Sequence, residues 1–484
     1  METHDTVHTR QTLTEQDVRH WDREEDVVVI GAGFAGLAAA IEAHNAGASV
    51  VVIEKMRAAG GNSSISEGGI AAPNTEIQKR LGIDDSPDLM YEDMIRAGMG
   101  LNYPSLVRVV VDHALEAFRW SAEYLGVEYV DRIDQFGGHS VPRCYAAVGV
   151  TGSTIIKRQV AKLQELGVPI RLRTRLERFV LDASGKIAGI LVREGYDHKN
   201  PDAGTQAYIN VRKAVVLATG GFGADVAFRS AQDPRLNADI DSTNTPYATA
   251  EALVEALRIQ AMPVHLSHIQ LGPWGSPDEK GYGAGPRFAD YTLFQYGLIV
   301  SPDTCARLVN ELADRKIVAD AILAIGRPCI GIADERALQQ SGWAIDRALK
   351  KGVVKPFDNL SDLSANYGLN EAALRSTIER FNGYVSQGTD AEFGKPIIDG
   401  AAPVANPPYY AMRLWPKVHH TMGGVRIDAS ARVIDLDGHP IRHLFAAGEV
   451  AGGVHGACRL GSCAITDCLV FGRIAGKNAA ESQA

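Results

Sequence analysis

The sequence lacks any uninterrupted apolar run of the length a membrane span requires, although 45% of its 484 residues are hydrophobic. It also lacks a lysine- or arginine-rich stripe. The 49 basic residues are outnumbered by 58 acidic ones, for a net charge of −9, so nucleic acid is not an expected partner. Cysteine is scarce: Cys144, Cys305, Cys329, Cys458, Cys463 and Cys468 are the six. No pair has the CxxC spacing of a zinc ribbon or the CxxCH of a c-type haem site. The even spacing of the last three matches no iron–sulfur pattern. Buried free thiols, no disulfide framework and no metal are therefore expected. Residues 1–25 are polar and lack the apolar stretch of a secretory leader. They are expected to form a loosely ordered arm, and the protein is expected to be cytoplasmic. The length allows two or three domains.

What is present begins at Asp26. The run Asp26-Val27-Val28-Val29-Ile30 reads as a buried parallel strand. Gly31-Ala32-Gly33-Phe34-Ala35-Gly36 follows, then a helical pattern ending near Asn45-Ala46-Gly47. A second strand, Ser49 to Ile53, leads to Glu54. A lone GxGxxG is weak, but between a strand and a helix, with an acid closing the next strand, it marks a dinucleotide site. Gly31 permits the tight turn, Gly33 admits the pyrophosphate and Gly36 lets the helix approach the strand. The helix N-terminus offers free N–H groups to phosphate, and Glu54 can accept from a ribose.

Three later segments favour FAD over NAD. Glu54-Lys55 is followed by a polar glycine loop, Gly60-Gly61-Asn62-Ser63-Ser64 and then Gly68-Gly69. A strand-like run from Ala214 ends in Thr219-Gly220-Gly221, and Ala446-Ala447-Gly448-Glu449 lies near the end of the chain. Together they suit an extended FAD. The expected cofactor contacts are Gly31, Gly33, Ala35, Gly36, Glu54, Lys55, Gly61, Asn62, Ser63, Gly68, Gly69, Thr219, Gly220, Gly448 and Glu449.

Two long segments narrow the reading: Pro416-Lys417-Val418-His419-His420-Thr421-Met422-Gly423-Gly424, and the stretch from Gly448 through His455-Gly456-Ala457-Cys458-Arg459-Leu460-Gly461. A third is Val309-Asn310-Glu311-Leu312-Ala313-Asp314-Arg315. On these the chain resembles the flavoprotein subunits of fumarate reductase and succinate dehydrogenase, especially soluble fumarate and urocanate reductases. The resemblance implies an α/β fold: a Rossmann-like FAD-binding domain (residues 26–267 and 419–484) interrupted by an α+β capping, or clamp, domain (residues 268–418). It implies hydride transfer between flavin N5 and the carbon β to a carbonyl or carboxylate. Arg459 would hold the carboxylate by its guanidinium fork, beside the flavin. Arg315 would be the proton donor, a role open to an arginine only when it is desolvated. His419 would touch substrate, following a strand-like 411–418 stretch. His420, Ser462, Ala464 and Ile465 would touch flavin, the last three at the start of an apolar helix. Members with covalent FAD use a histidine in the loop before the Gly-Gly pair. Here Ser63 to Gly69 holds none, so non-covalent FAD is expected.

The resemblance also has departures. Gly272, in the stretch beginning His268-Ile269-Gln270, stands where fumarate reductases carry a substrate-binding histidine. Asp290-Tyr291 stands for a Thr-Glu pair that grips a second carboxylate, and Phe294 for a relay arginine. Gln270, Gly272, Asp290 and Tyr291 are accordingly the expected substrate contacts. Trp274, Tyr291, Phe294 and Tyr296 would add aromatic surface for a substrate larger than fumarate. Asp314, Glu311 or water would feed protons to Arg315. The direction, C=C reduction or desaturation, stays open, as does the electron donor or acceptor, since no second nucleotide motif is evident. Two alternatives remain: a ketosteroid-dehydrogenase-type desaturase or oxidase, and a non-catalytic electron-transfer flavoprotein.

Overall fold

The computed structural model describes residues 12–483. The β-branched run at Val27–Ile30 is almost fully buried, as expected of a central parallel strand. Strand Arg23–Ile30 pairs in parallel with Val50–Glu54 on one side and Thr205–Leu217 on the other. Ile170–Leu172 extends the sheet beyond Val50–Glu54, and Pro440–Ala446 adds in parallel to Thr205–Leu217. An antiparallel wing, Thr174–Leu181 and Ile187–Glu194, completes this layer. Helix Phe34–Asn45 packs against the C-terminal helix Cys463–Glu481. The contact is close because Gly472 and Gly476 lie directly on the backbone of Ala35 and Ala39, where any Cβ would clash.

Residues 1–11 of the expected arm lie outside the described residues. Residues 12–25 are not a loose arm. Leu13–Thr14 pairs with the edge strand Thr174–Leu181, and Arg23, Glu24 and Glu25 already pair with Ile209, Asn210 and Val211. The physical reason is the length of Thr205–Leu217, which offers ladder partners well before the apolar run starts. Trp21 also packs on Gly189, in space that a side chain there would fill.

A second layer is a four-stranded antiparallel sheet ordered Leu298–Val300, Cys329–Asp334, Tyr409–Leu414 and Lys355–Phe357. It carries apolar clusters of its own, one around Phe288 and Ile322, the other around Leu374 and Phe381. The two layers meet where Ile269–Gly272 pairs antiparallel with Lys417–Thr421. The expected strand over residues 411–418 is in fact two, Tyr409–Leu414 and Lys417–Thr421. Pro416, which has no N–H to give a ladder, falls at the break. His419 and His420 therefore lie within a strand rather than after one. All six cysteines are free thiols, five of them buried. Among the described residues no His/Cys/Asp/Glu group could hold a metal, and no helix is long and apolar enough to cross a membrane.

Candidate active site

The glycine turn forms a cradle of backbone. Gly31 has φ +105°, and a Cβ there would run into the Ala218 carbonyl. A Cβ on Gly36 would meet the Gly31 carbonyl oxygen. Glu54 Oε2 accepts from Ala32 N at 3.0 Å and Oε1 from Met56 N at 2.9 Å. Gly31, Glu54, Lys55 and Thr219 line a small cavity beside it. Lys55 Nζ donates to Thr249 Oγ1 (2.7 Å) and pairs with Glu251 (2.9 Å). Ser63 Oγ accepts from Phe34 N at 3.2 Å, close under Gly33. Asn62 Oδ1 accepts from Thr245 N at 2.8 Å. Gly61, Gly220 and Gly448 have positive φ, and Gly448 sits against Ala35 and Cys468.

From this cradle a larger cavity, about 930 Å³ of empty space, runs between the two layers. One wall is the segment from Asn62 and Ser63 to Gly68 and Gly69, together with Ser462, Ala464 and Ile465. The first turn of helix Cys463–Glu481 thus lines the cavity, and its positive dipole end favours negative charge there. The preceding turn is pinned from behind. Arg143 Nη1 donates to His139 Nδ1 (3.1 Å), so His139 Nε2 donates to the Gly461 carbonyl (2.9 Å). The opposite wall carries Trp274, Tyr282, Asp290, Tyr291 and Arg315, while His419, His420, Glu449 and Arg459 also line the space.

The charges here are unusual. Arg459 is buried and donates through Nη1 to the Leu460 carbonyl at 3.3 Å, while its Nε has no partner among the described residues. Burial and then the nearby Arg315 push its pKa down to about 9. Arg315 lies over the Trp274 ring at 4.2 Å and 3.6 Å from Asp290, and its Nη1 also has no partner. Burial raises the Asp290 carboxyl to about 6, against the pull of Arg315 and Arg459. Glu67 is raised to about 7 by burial and then by Asp290, and it is hydrogen-bonded by Tyr282 and Tyr291. Burial, Arg459 and Arg315 hold His419 well below its ordinary range, so it is neutral, with Nδ1 bonded to Thr243 Oγ1 at 2.7 Å. His420 is likewise neutral and 3.5 Å from Glu449, whose Oε1 also accepts from Thr421 N.

Most expected site residues therefore converge, but several do not reach the cavity. Gln270 is buried behind it and donates to the Arg459 carbonyl (2.8 Å), steadying that loop. Gly272 does not make room for substrate. The Trp274 indole fills the space, with ring atoms 2.9 Å from where a Cβ would be. Phe294 and Tyr296 pack in the core of the second layer. Asp314 caps the helix Arg315–Ile325 through Lys316 N and Ile317 N, and Glu311 is tied to Arg307. Among the described residues neither forms an ion pair with Arg315, whereas Asp290 does, at 3.6 Å. Glu67, Tyr282 and Thr243 were not anticipated. Glu67 was visible as the lone acid of a glycine-rich loop, but reading that loop as a backbone cradle hid its side chain.

Residues 26–465 match the protein family described as FAD binding domain. The acrylate reductase flavoprotein subunit of Shewanella woodyi is 42% identical, over 94% of this chain and 91% of that protein. The chain belongs to the fumarate reductase/succinate dehydrogenase flavoprotein family. A urocanate reductase of Eggerthella lenta is 35% identical over 94% of the chain and 74% of its own length. The open form of a flavocytochrome c3 fumarate reductase superposes with a TM-score of 0.74 at 32% identity, covering 95% of this chain and 79% of that one. The fold is the family's α/β architecture of FAD-binding and capping domains, and the protein is an oxidoreductase acting on CH–CH groups, like the acrylate, urocanate and fumarate reductases. The residues fit FAD: the clash-limited glycines at 31 and 36 leave a side-chain-free approach to a helix N-terminus, and the cavity continues from there.

Proposed function

We propose that the protein uses non-covalently held FAD to reduce the C=C bond of an α,β-unsaturated carboxylate, or to run the reverse desaturation. The chemistry FAD would supply is hydride transfer to or from the β-carbon. The observation that carries the reading is a pair of under-hydrogen-bonded guanidiniums in one cavity, Arg459 buried and Arg315 half-buried. A buried donor left unpaired is costly, and an anion relieves that cost. Arg459 grips the carboxylate and polarises the conjugated bond. Neutral His419, oriented by Thr243, hydrogen-bonds the same group. Arg315, desolvated against Trp274, gives its proton to the α-carbon, and Asp290 returns one to it. In the desaturation direction the same pair removes the proton. The names of the relatives, acrylate and urocanate reductase, support an unsaturated acid as substrate. The word subunit in the first of them supports electron supply by a separate protein.

A second reading, desaturation of a cyclic ketone, draws on the tyrosines Tyr282 and Tyr291 in the cavity. Both hydroxyls engage Glu67 instead, and a neutral ketone would leave Arg459 without a counter-charge. The test is anaerobic photoreduction of the purified protein, followed by addition of unsaturated acids and ketones. Reoxidation of the flavin by acids is expected. The reading fails if no unsaturated acid reoxidises it and no saturated acid reduces the oxidised form. Non-covalent attachment rests on the histidine-free loop at residues 63–69. Acid precipitation should release the flavin to the supernatant, and a yellow pellet would overturn non-covalent attachment.

A further inference from the structure

The cavity continues into an entrance cleft between the layers, about 1320 Å³ of open space, lined by Gly281, Arg287 and Arg347 among others. Glu67 and Tyr282 line both spaces, whereas Arg459 lines only the inner one. The order from inside to outside is thus Arg459, then the Glu67–Tyr282 boundary, then Arg287.

The charges along this line can be matched. Arg315 faces Asp290 at 3.6 Å. Arg287 and Glu67 attract each other across the boundary. Glu449 accepts both donors of Thr421. His419 and His420 are neutral. Among the described residues, Arg459 is left as the cation of the inner cavity without an acidic ion-pair partner. A dicarboxylate needs two cationic grips, and its second carboxylate would meet Glu67, held in place by two tyrosine hydroxyls. At pH 8 a Glu67 carboxyl that titrates at about 7 is ionised, and it must repel a second carboxylate or take up a proton, a penalty of about tenfold. An uncharged tail meets phenol rings, Phe136 and hydrogen-bonding hydroxyls instead.

Building on the function proposed above, we infer that Glu67 is a charge filter that restricts the substrate to 2-enoate monocarboxylates with an uncharged β-substituent, Arg459 holding the single carboxylate. Hydride adds to the β-carbon, the Arg315 proton adds to the α-carbon, the C=C π bond is lost, and the two electrons come from the reduced flavin. Removing the Glu67 charge lifts that repulsion and leaves Arg287, which lines the cleft, as a second cationic grip.

The experiment compares crotonate with fumarate at pH 8 on the photoreduced holoenzyme, and butyrate with succinate binding to the oxidised holoenzyme by calorimetry. Wild type is expected to favour crotonate in kcat/KM by about tenfold, and to bind butyrate in preference to succinate. Glu67→Gln should raise the fumarate-to-crotonate ratio by about tenfold or more and bring in succinate binding. Adding Arg287→Ala to Glu67→Gln should remove that gain. Fumarate matching crotonate in wild type, or a ratio unmoved in Glu67→Gln, overturns the filter while leaving the reductase reading intact. Failure of both acids to reoxidise the flavin sinks the underlying reading instead. If Glu67→Gln does not fold, the wild-type turnover and binding ratios decide alone.

Discussion

Two buried arginine sites in this protein look alike in burial and differ in hydrogen bonding. Arg307 is fully enclosed between the rings of Phe381 and Phe393. Its Nε and Nη2 donate to Glu311 at 3.1 and 2.7 Å, and Nη1 and Nη2 to Asp390 at 3.1 and 3.0 Å. Burial works against its charge, but the Glu311 and Asp390 carboxylates more than offset it and hold the guanidinium above its ordinary range. Arg459 and Arg315 sit in the cavity with N–H groups unpartnered, and the Arg459 guanidinium is held below its ordinary range. A guanidinium whose donors are all matched is architecture, whereas one left short of acceptors is a place for an anion. Lys395, bonded to the Gly297 carbonyl at 2.6 Å beside Glu311, belongs to the first kind.

The sharpest way to break this comparison is Arg459→Ala. Turnover of an unsaturated acid, as kcat/KM, should fall about 10³-fold, with the melting temperature level or raised, because an uncompensated buried charge is gone. A variant that keeps its turnover and melts early would place Arg459 with Arg307. The converse is Arg307→Ala. Removing one partner of a buried ion cluster costs about 3–5 kcal/mol, read from urea unfolding, with KM unchanged in the folded fraction. A shifted KM at full stability would show that the cluster serves the site.

The acid beside Arg315 gives a pH signature of the same contrast. Asp290 ionises at about 6 in the fold against an ordinary 3.8. Its folded value is the higher one, so the stability it contributes is full below about pH 4 and is lost as pH rises through 6. Asp290→Asn should therefore gain thermal stability relative to wild type between pH 4 and 7, by about 3 kcal/mol at most. The same variant should turn over more slowly at every pH, and a stability difference independent of pH would contradict the raised value.

How legible this was from sequence follows the same divide. The cradle is made by backbone, so residue type at each position reports it. Gly31, Gly36 and Glu54 could be read because glycine geometry and an acid closing a strand leave few alternatives. The long motif around Arg459 likewise put that arginine just before an apolar helix, and Arg459 and the first turn of that helix line one cavity. The capping wall is made by side chains that arrive from distant segments, and spacing does not encode which of them turn inward. Gln270, Gly272 and Phe294 sit at the right places along the chain and face the wrong way. Trp274 occupies the space over Gly272, a packing relation with no local pattern. Glu67 becomes significant only once Tyr282, Tyr291 and Asp290 fold over it.

Asp314 tests whether proximity in sequence to the proton donor means participation in proton supply. It adjoins Arg315 in the chain, but its Oδ1 accepts from Lys316 N at 2.9 Å and Ile317 N at 3.1 Å. That is an N-cap, which fixes the first turn of Arg315–Ile325 and so the backbone from which Arg315 projects. Asparagine caps as well as aspartate does, whereas alanine costs about 1 kcal/mol. Asp314→Asn should leave kcat and its pH profile at the wild-type values. Asp314→Ala should lower stability by about 1 kcal/mol and slow turnover only several-fold, by letting the first turn fray around Arg315. A proton-supplying role predicts the opposite order, with Asp314→Asn as slow as Asp290→Asn, because an amide cannot relay the proton. That result would move proton supply from the cavity carboxylate to the capping one, and with it the line between the two kinds of buried charge.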